Sequence, residues 1–139
     1  MPAANKRILV VDDNEIVIKT ISLKLQGAGY KVLTAMDGSA AVAVARQDNP
    51  DLVILDLSFP PEVAGVPWDG FRIMEWFHRM ENSRKIPIIV ITGSDDPSDR
   101  QRATKSGAVA FFQKPLEHDS LLKVVRAIIG EAGAVAQAA

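Results

Sequence analysis

An α/β fold built on a parallel sheet is predicted by two features of this chain. Short runs of Ile, Val, Leu and Phe recur at Ile8 to Val11, Leu52 to Leu55, Ile88 to Ile91 and Ala108 to Phe112, and segments of helical period separate them. Such runs read as strands buried on both faces, the burial that crossover helices impose on parallel strands. Each run is also closely followed by a polar group: Asp12-Asp13, Asp56, Thr92 and Lys114. A parallel sheet gathers the carboxyl ends of its strands on one edge, where ligands bind. Three carboxylates, a hydroxyl and an ammonium are therefore expected in one crevice, a set suited to a divalent cation and a phosphoryl group rather than an organic cofactor.

The elements follow in order. After the first strand, Asn14 can cap a helix with Val17, Ile21 and Leu25 on one face, and Gly27 or Gly29 can end it. Tyr30 to Ala35 alternates toward a second strand, and Asp37-Gly38 turns into an Ala- and Val-rich helix from Ser39 to about Gln47 that Asn49-Pro50 breaks. The third strand ends at Asp56. A helix from about Gly70 to Met80 places Phe71, Met74 and Phe77 inward, with Trp76 off that stripe, and Pro87 opens the fourth strand. The fourth helix, near Ser98 to Lys105, has Ala103 as its one apolar residue and should be the least stable. The fifth strand runs through Phe111-Phe112, and the last helix carries Leu121, Val125 and Ile128 on one stripe with Leu122 and Ile129 beside it.

Five strands and five helices alternate strictly. Right-handed crossovers then give a three-layer, doubly wound (βα)5 sandwich. By analogy, the flavodoxin-like sheet order 2-1-3-4-5 sets the switch point between strands one and three, so Asp12, Asp13 and Asp56 flank the crevice.

The 139 residues are expected to form one domain over 1–130, followed by a short Ala-rich tail over 131–139 that should be disordered. Sixteen basic and seventeen acidic residues leave no global field to draw the chain onto nucleic acid or anionic lipid. The absence of cysteine excludes disulfides, thiol catalysis and cysteine zinc sites. The apolar stretch after Lys6-Arg7 stops at Asp12, too short for a signal-peptide core or a membrane span. A soluble, cytoplasmic protein is the expectation.

Singly, each polar residue has an ordinary explanation: Asp12-Asp13 as a turn or cap, Thr92 as a strand-end turn residue, Lys114 as a solvated lysine. Their joint placement is what carries chemistry. Clustered carboxylates raise each other's pKa unless a cation compensates. Hard oxygen ligands with open positions suit Mg²⁺, and an ammonium with a hydroxyl suits phosphoryl oxygens. His78 and His118, set in helices away from the strand ends, are not expected to act as ligands or phosphodonors.

VVDDN at Val10 to Asn14, DLVILDL at Asp51 to Leu57, VITG at Val90 to Gly93 and FFQKP at Phe111 to Pro115 closely resemble the receiver domain of two-component response regulators (CheY-like), over essentially Lys6 to Gly130. The resemblance implies that Asp56 accepts a phosphoryl group from a phosphohistidine on a histidine kinase or histidine phosphotransfer protein. It implies Mg²⁺ (or Mn²⁺) bound by Asp13, Asp56 and the Ser58 backbone carbonyl, with Asp12 acting directly or through water. Thr92 and Lys114 would hold the phosphoryl group, Thr92 and Phe111 would form the switch, and the Lys114-Pro115 bond would be cis. The output would be control of a downstream protein or effector domain, including homodimerisation through the fourth helix, fifth strand and fifth helix, with no direct nucleic-acid or membrane contact. Such a module is not a dedicated enzyme, although it promotes its own phosphotransfer and dephosphorylation.

The chain departs from the family pattern in places. The stretch between Asp56 and Asp69-Gly70 is longer than usual and Pro-rich, around Pro60, Pro61, Glu62 to Pro67 and Trp68. It reads as a tolerated surface insertion or, more sharply, as a lid or partner-specific rim beside Asp56. Gly93 stands where alanine is more usual, Ser58 and Ser94 supply no carboxylate or amide to orient water, and Phe111 lacks a hydroxyl. Two other classes compete. An aspartyl-phosphate phosphatase should carry a second aspartate two positions after the nucleophile, where this chain has Ser58; a flavodoxin-type flavin module should have a first turn that welcomes phosphate, where Asp12-Asp13 would repel it.

Overall fold

The sequence builds alternating strands and helices, described in a computed structural model for residues 6–57, 70–79, 86–93 and 96–130. The elements are β1 (Arg7–Val11), α1 (Glu15–Gly27), β2 (Lys31–Ala35), α2 (Gly38–Asp48), β3 (Leu52–Asp56), α3 (Gly70–His78), β4 (Ile88–Thr92), α4 (Pro97–Lys105), β5 (Ala110–Gln113) and α5 (His118–Ile129). All strand pairings are parallel, in the order β2-β1-β3-β4-β5. This is the flavodoxin-like order expected, with β1 and β3 adjacent at the point where the winding reverses.

Alternation along the strands divides the core between the two sheet faces. Leu9, Val11, Val53, Leu55, Ile88 and Val90 pack on one side with Ala41 and Ala45 of α2, Ile73, Met74 and Phe77 of α3 and Ala103 of α4. Ile8, Val10, Leu52, Ile54, Ile89 and Ile91 pack on the other with Ile21 and Leu25 of α1 and Leu121, Leu122 and Val125 of α5. β3 and β4 are buried throughout, as their unbroken apolar runs require. β5 is not: Ala110, Phe111 and Phe112 are half-buried and Gln113 is exposed. It is an edge strand, so burial on both faces does not extend to it.

Local chemistry sets the helix ends. Asn14 accepts the Ile16 and Val17 backbone N–H groups at 2.8 and 3.3 Å, and Asp37 accepts that of Ala40 at 2.8 Å, starting α2 one residue earlier than expected, at Gly38. Asn49, in the left-handed region at φ 47°, ends α2 just before Pro50. Asp96 caps α4, and Pro97, whose missing N–H costs nothing in a first turn, extends it one residue beyond the expected start.

In α3 the buried face is Ile73, Met74 and Phe77, while Phe71 is only half-buried. The inward stripe is thus displaced toward Ile73. Trp76 is half-buried, edge-on to Phe77 at 5.3 Å between centroids, with the Arg46 guanidinium 5.7 Å from its ring centre. α4 buries Ala103 alone. The insertion around Pro60, Pro61, Glu62 to Pro67 and Trp68, with Ser58, Ser94 and the 131–139 tail, lies outside the described residues.

Candidate functional site

The site grows from the carboxyl ends of β1, β3, β4 and β5. The Asp12 N–H donates to the Ala35 carbonyl at 3.1 Å, prolonging the β1–β2 pairing until the chain leaves the sheet. Asp56 is the last residue of β3, in register with Ile91 of β4, and Thr92 follows one position later. The Lys114 N–H donates to the Thr92 carbonyl at 2.7 Å, which carries the β4–β5 pairing onto the lysine. The following Lys114-Pro115 peptide is cis. Residues spread over a hundred positions are thereby delivered to one edge by backbone pairing alone.

Asp12, Asp56 and Thr92 are almost wholly buried, at 0, 1 and 0% exposure, whereas Asp13 is exposed. Buried carboxylates need compensation. The Lys114 ammonium supplies it, 2.8 Å from Asp12 Oδ2 and 3.4 Å from Asp56 Oδ2. Asp12 is divided between two tasks, because its other oxygen accepts the Asn14 N–H at 2.9 Å. The turn role and the site role considered for Asp12 are therefore held by one carboxylate. Burial pulls the Lys114 pKa down, but the hydrogen bond from Lys114 to Asp12 and the charges of Asp56 and Asp12 outweigh it and hold the ammonium above the ordinary lysine value.

One carboxylate oxygen each from Asp12, Asp13 and Asp56 lies within 4.8 Å of the others. Among the described residues the Lys114 ammonium is paired with two of these three acids, leaving an excess of negative charge there that a divalent cation would balance. The donors are hard oxygens and one of them faces solvent, the setting in which Mg²⁺ keeps part of its water shell. The donor set fits the expected metal.

Phe111 sits in register with Val90 on β5, half-buried, with the Arg100 guanidinium of α4 5.6 Å from its ring centre. His78 packs against Gly107, away from the crevice. His118 is nearer than its helical position suggested. Together with Ile16, Val17, Thr20, Ile21, Pro115 and Leu116 it lines a groove of about 390 Å³ that Lys114 also borders. No periodicity could reveal that groove, which exists because the β5–α5 connection lies beside α1.

Residues 8–126 match the family model of the response regulator receiver domain. The chain belongs to that family. Response regulator PleD of Caulobacter vibrioides is 38% identical over 122 residues, 88% of this chain but 26% of PleD. The chain thus spans about a quarter of that relative, whereas its match to protein PilH of Pseudomonas aeruginosa, 32% identical over 123 residues, covers 97% of PilH. The structure of the chemotaxis protein CheY4 of Vibrio cholerae superposes with a TM-score of 0.79 at 30% identity, covering 91% of this chain and all of that one. Receiver domains are signalling modules of two-component systems rather than dedicated enzymes, and they work with histidine kinases and downstream effectors. Among the described residues no helix is long and apolar enough to cross a membrane.

Proposed function

We propose that this receiver domain takes a phosphoryl group onto Asp56 from the phosphohistidine of a histidine kinase or histidine phosphotransfer protein. The observation that carries the reading is the Lys114 ammonium, held within 3.4 Å of a buried strand-end carboxylate that shares a three-acid cluster. An Asp56 oxygen attacks phosphorus, the P–N bond breaks, and the electron pair leaves on the donor imidazole. A carboxylate approaching a phosphoryl group meets like charge, and Lys114 offsets it while the Thr92 hydroxyl donates to a phosphoryl oxygen. Asp12, Asp13 and Asp56, with the Ser58 backbone carbonyl, would hold Mg²⁺ or Mn²⁺, which when bound neutralises charge on the transferring oxygens. The exposed apolar side chain of Ile16, at the groove beside Lys114, supports a protein donor that packs there.

The product is an acyl phosphate carrying roughly two negative charges. Its attraction for Lys114 and Thr92 draws both away from their present partners, and Thr92 passes the change to Phe111 and α4. The output is control of a downstream protein or effector domain, including homodimerisation through α4, β5 and α5, in the cytoplasm. Spontaneous loss of the phosphoryl group is slow, since neither Ser58 nor Ser94 orients water.

Incubation with acetyl phosphate or phosphoramidate and Mg²⁺ tests this by intact-protein mass. One phosphoryl group should be added to the native chain and essentially none to Asp56→Asn; normal labelling of that variant defeats the reading. Asp13→Ala should bind Mg²⁺ more weakly in a titration of the metal alone. Lys114→Ala should still fold yet lose most of the conformational response to phosphorylation.

A further inference from the structure

The first turn of α1 and the acidic crevice are joined by two sets of hydrogen bonds that meet in Asn14. On the crevice side the Asn14 backbone N–H donates to Asp12 Oδ1 at 2.9 Å, closing an Asx turn around Asp13. On the helix side the Asn14 side-chain oxygen accepts the Ile16 and Val17 N–H groups at 2.8 and 3.3 Å, while its carbonyl accepts the Ile18 N–H at 3.1 Å. One residue thus seats a carboxylate of the crevice with its N–H and fastens a helix with its side chain.

Both acids of the pair depend on that junction. Asp12 is wholly buried, and its carboxylate is fixed from two directions, by Asn14 at Oδ1 and by the Lys114 ammonium at Oδ2, 2.8 Å away. Asp13 is exposed, so its backbone is oriented chiefly by the residues on either side of it. Asn14 is itself exposed and extended, at φ −99° and ψ 114°. Burial contributes little to holding it there, and the bonds to α1 supply the restraint.

We propose that Asn14 is a positioning residue for Asp12 and Asp13: by capping α1, its side chain keeps its own N–H aimed at Asp12 and holds the Asp12-Asp13 turn in the shape that binds Mg²⁺. This role rests on Asp12, Asp13 and Asp56 being the metal ligands, as proposed above. Without the cap the first turn of α1 frays and the Asn14 N–H leaves Oδ1. Lys114 alone then orients the Asp12 carboxylate, and Asp13 moves with the loosened loop. Hydrogen-bond partners that orient a metal ligand typically change affinity about 10–100-fold when lost. The capped N–H groups belong to Ile16 and Val17, which also line the groove beside Lys114, so the groove wall and the acidic turn share one fastening.

A cap that serves α1 alone is the ordinary alternative, and variants of the full chain separate the two. Asn14→Ala deletes the side-chain acceptor and keeps the backbone N–H. Asn14→Ser restores an acceptor of a type that caps helices well. Leu23→Gly weakens α1 through helix propensity alone, at an exposed position away from the turn. Each is titrated with magnesium chloride at constant ionic strength and followed by amide NMR signals, which also report that the chain is folded; amide exchange is measured without metal. Asn14→Ala should bind Mg²⁺ about tenfold more weakly and lose protection at the residue 14 amide. Asn14→Ser should come within about twofold of the native chain. Leu23→Gly should match the native affinity although the amides of α1 exchange faster. Native affinity in Asn14→Ala overturns the positioning role and leaves the metal site standing. Equal weakening in Leu23→Gly overturns it too, by making helix stability rather than the turn the cause. A native chain that binds no Mg²⁺ overturns the metal site, and the positioning role with it.

Discussion

α4 and α5 are of comparable length but lie on opposite faces of the sheet and are secured by different forces. α5 buries Leu121, Leu122 and Val125. It is also tied to α1 by Lys24 and Asp119 at 2.6 Å and to the start of β2 by the Tyr30 hydroxyl, which donates to the Gly130 carbonyl at 2.6 Å. α4 buries one methyl side chain and is otherwise held at the surface, by Arg100 over Phe111 and Arg102 over Phe71. Apolar burial is strong and indifferent to direction, whereas guanidinium–aromatic contacts are weak and depend on geometry. The stable face and the deformable face of this domain are therefore distinct, and the deformable one adjoins Phe111, three residues before Lys114.

The largest expected difference comes from truncating each helix's buried residue. Leu121→Ala should cost about 2–5 kcal/mol in denaturant unfolding, against about 1 kcal/mol for Ala103→Gly, which loses mainly helix propensity. Native-state hydrogen exchange sharpens the contrast: amides of α4 should exchange by local opening, those of α5 only near the global limit. Equal protection in the two helices would break the comparison. Next in size, Tyr30→Phe should lower stability by about 1 kcal/mol through the lost bond to Gly130, with α5 fraying at its carboxyl end in amide exchange. Arg100→Ala and Arg102→Ala should each cost about 0.5–1 kcal/mol, raising exchange in α4 and leaving α5 unmoved.

The smallest effect is acid titration. Asp96 is held below the usual carboxylate range by the Ser98 backbone N–H and hydroxyl, and Asp119 by the hydrogen bond and charge of Lys24. Because both pKa values are lower in the folded chain, both contributions are present above the ordinary aspartate range and are lost as pH falls through the folded values, below about pH 4. α4 should then fray at its first turn, since among the described residues it buries Ala103 alone, while α5 stays in place on its apolar stripe. Amide chemical shifts followed down in pH would show whether the two helices respond together or, as expected, separately.

Much of the site was legible before any coordinate, because β1, β3 and β4 are unbroken apolar runs and a parallel sheet leaves their polar terminators nowhere to go except one edge. Asp12, Asp56 and Thr92 needed only that rule. Lys114 needed more. It lies beyond an edge strand whose burial is incomplete, and its approach to Asp12 across 102 positions depends on the Thr92 carbonyl accepting its N–H.

The sequence by itself determined the order of elements, their caps and the gathering of acids, hydroxyl and ammonium, since helix period, strand alternation and capping are local properties of the chain. Only the tertiary structure decided what depends on distances between elements. It gave Asp12 a turn N–H and an ammonium at once, seated Trp76 between Phe77 and Arg46, and moved the buried face of α3 to Ile73. It also opened a recess between α3 and α4. Ala103 is small enough to let α4 approach the sheet and too small to close the space beside it, and which side chains line such a space is fixed by how two helices settle on a twisted sheet, which no spacing within either helix records.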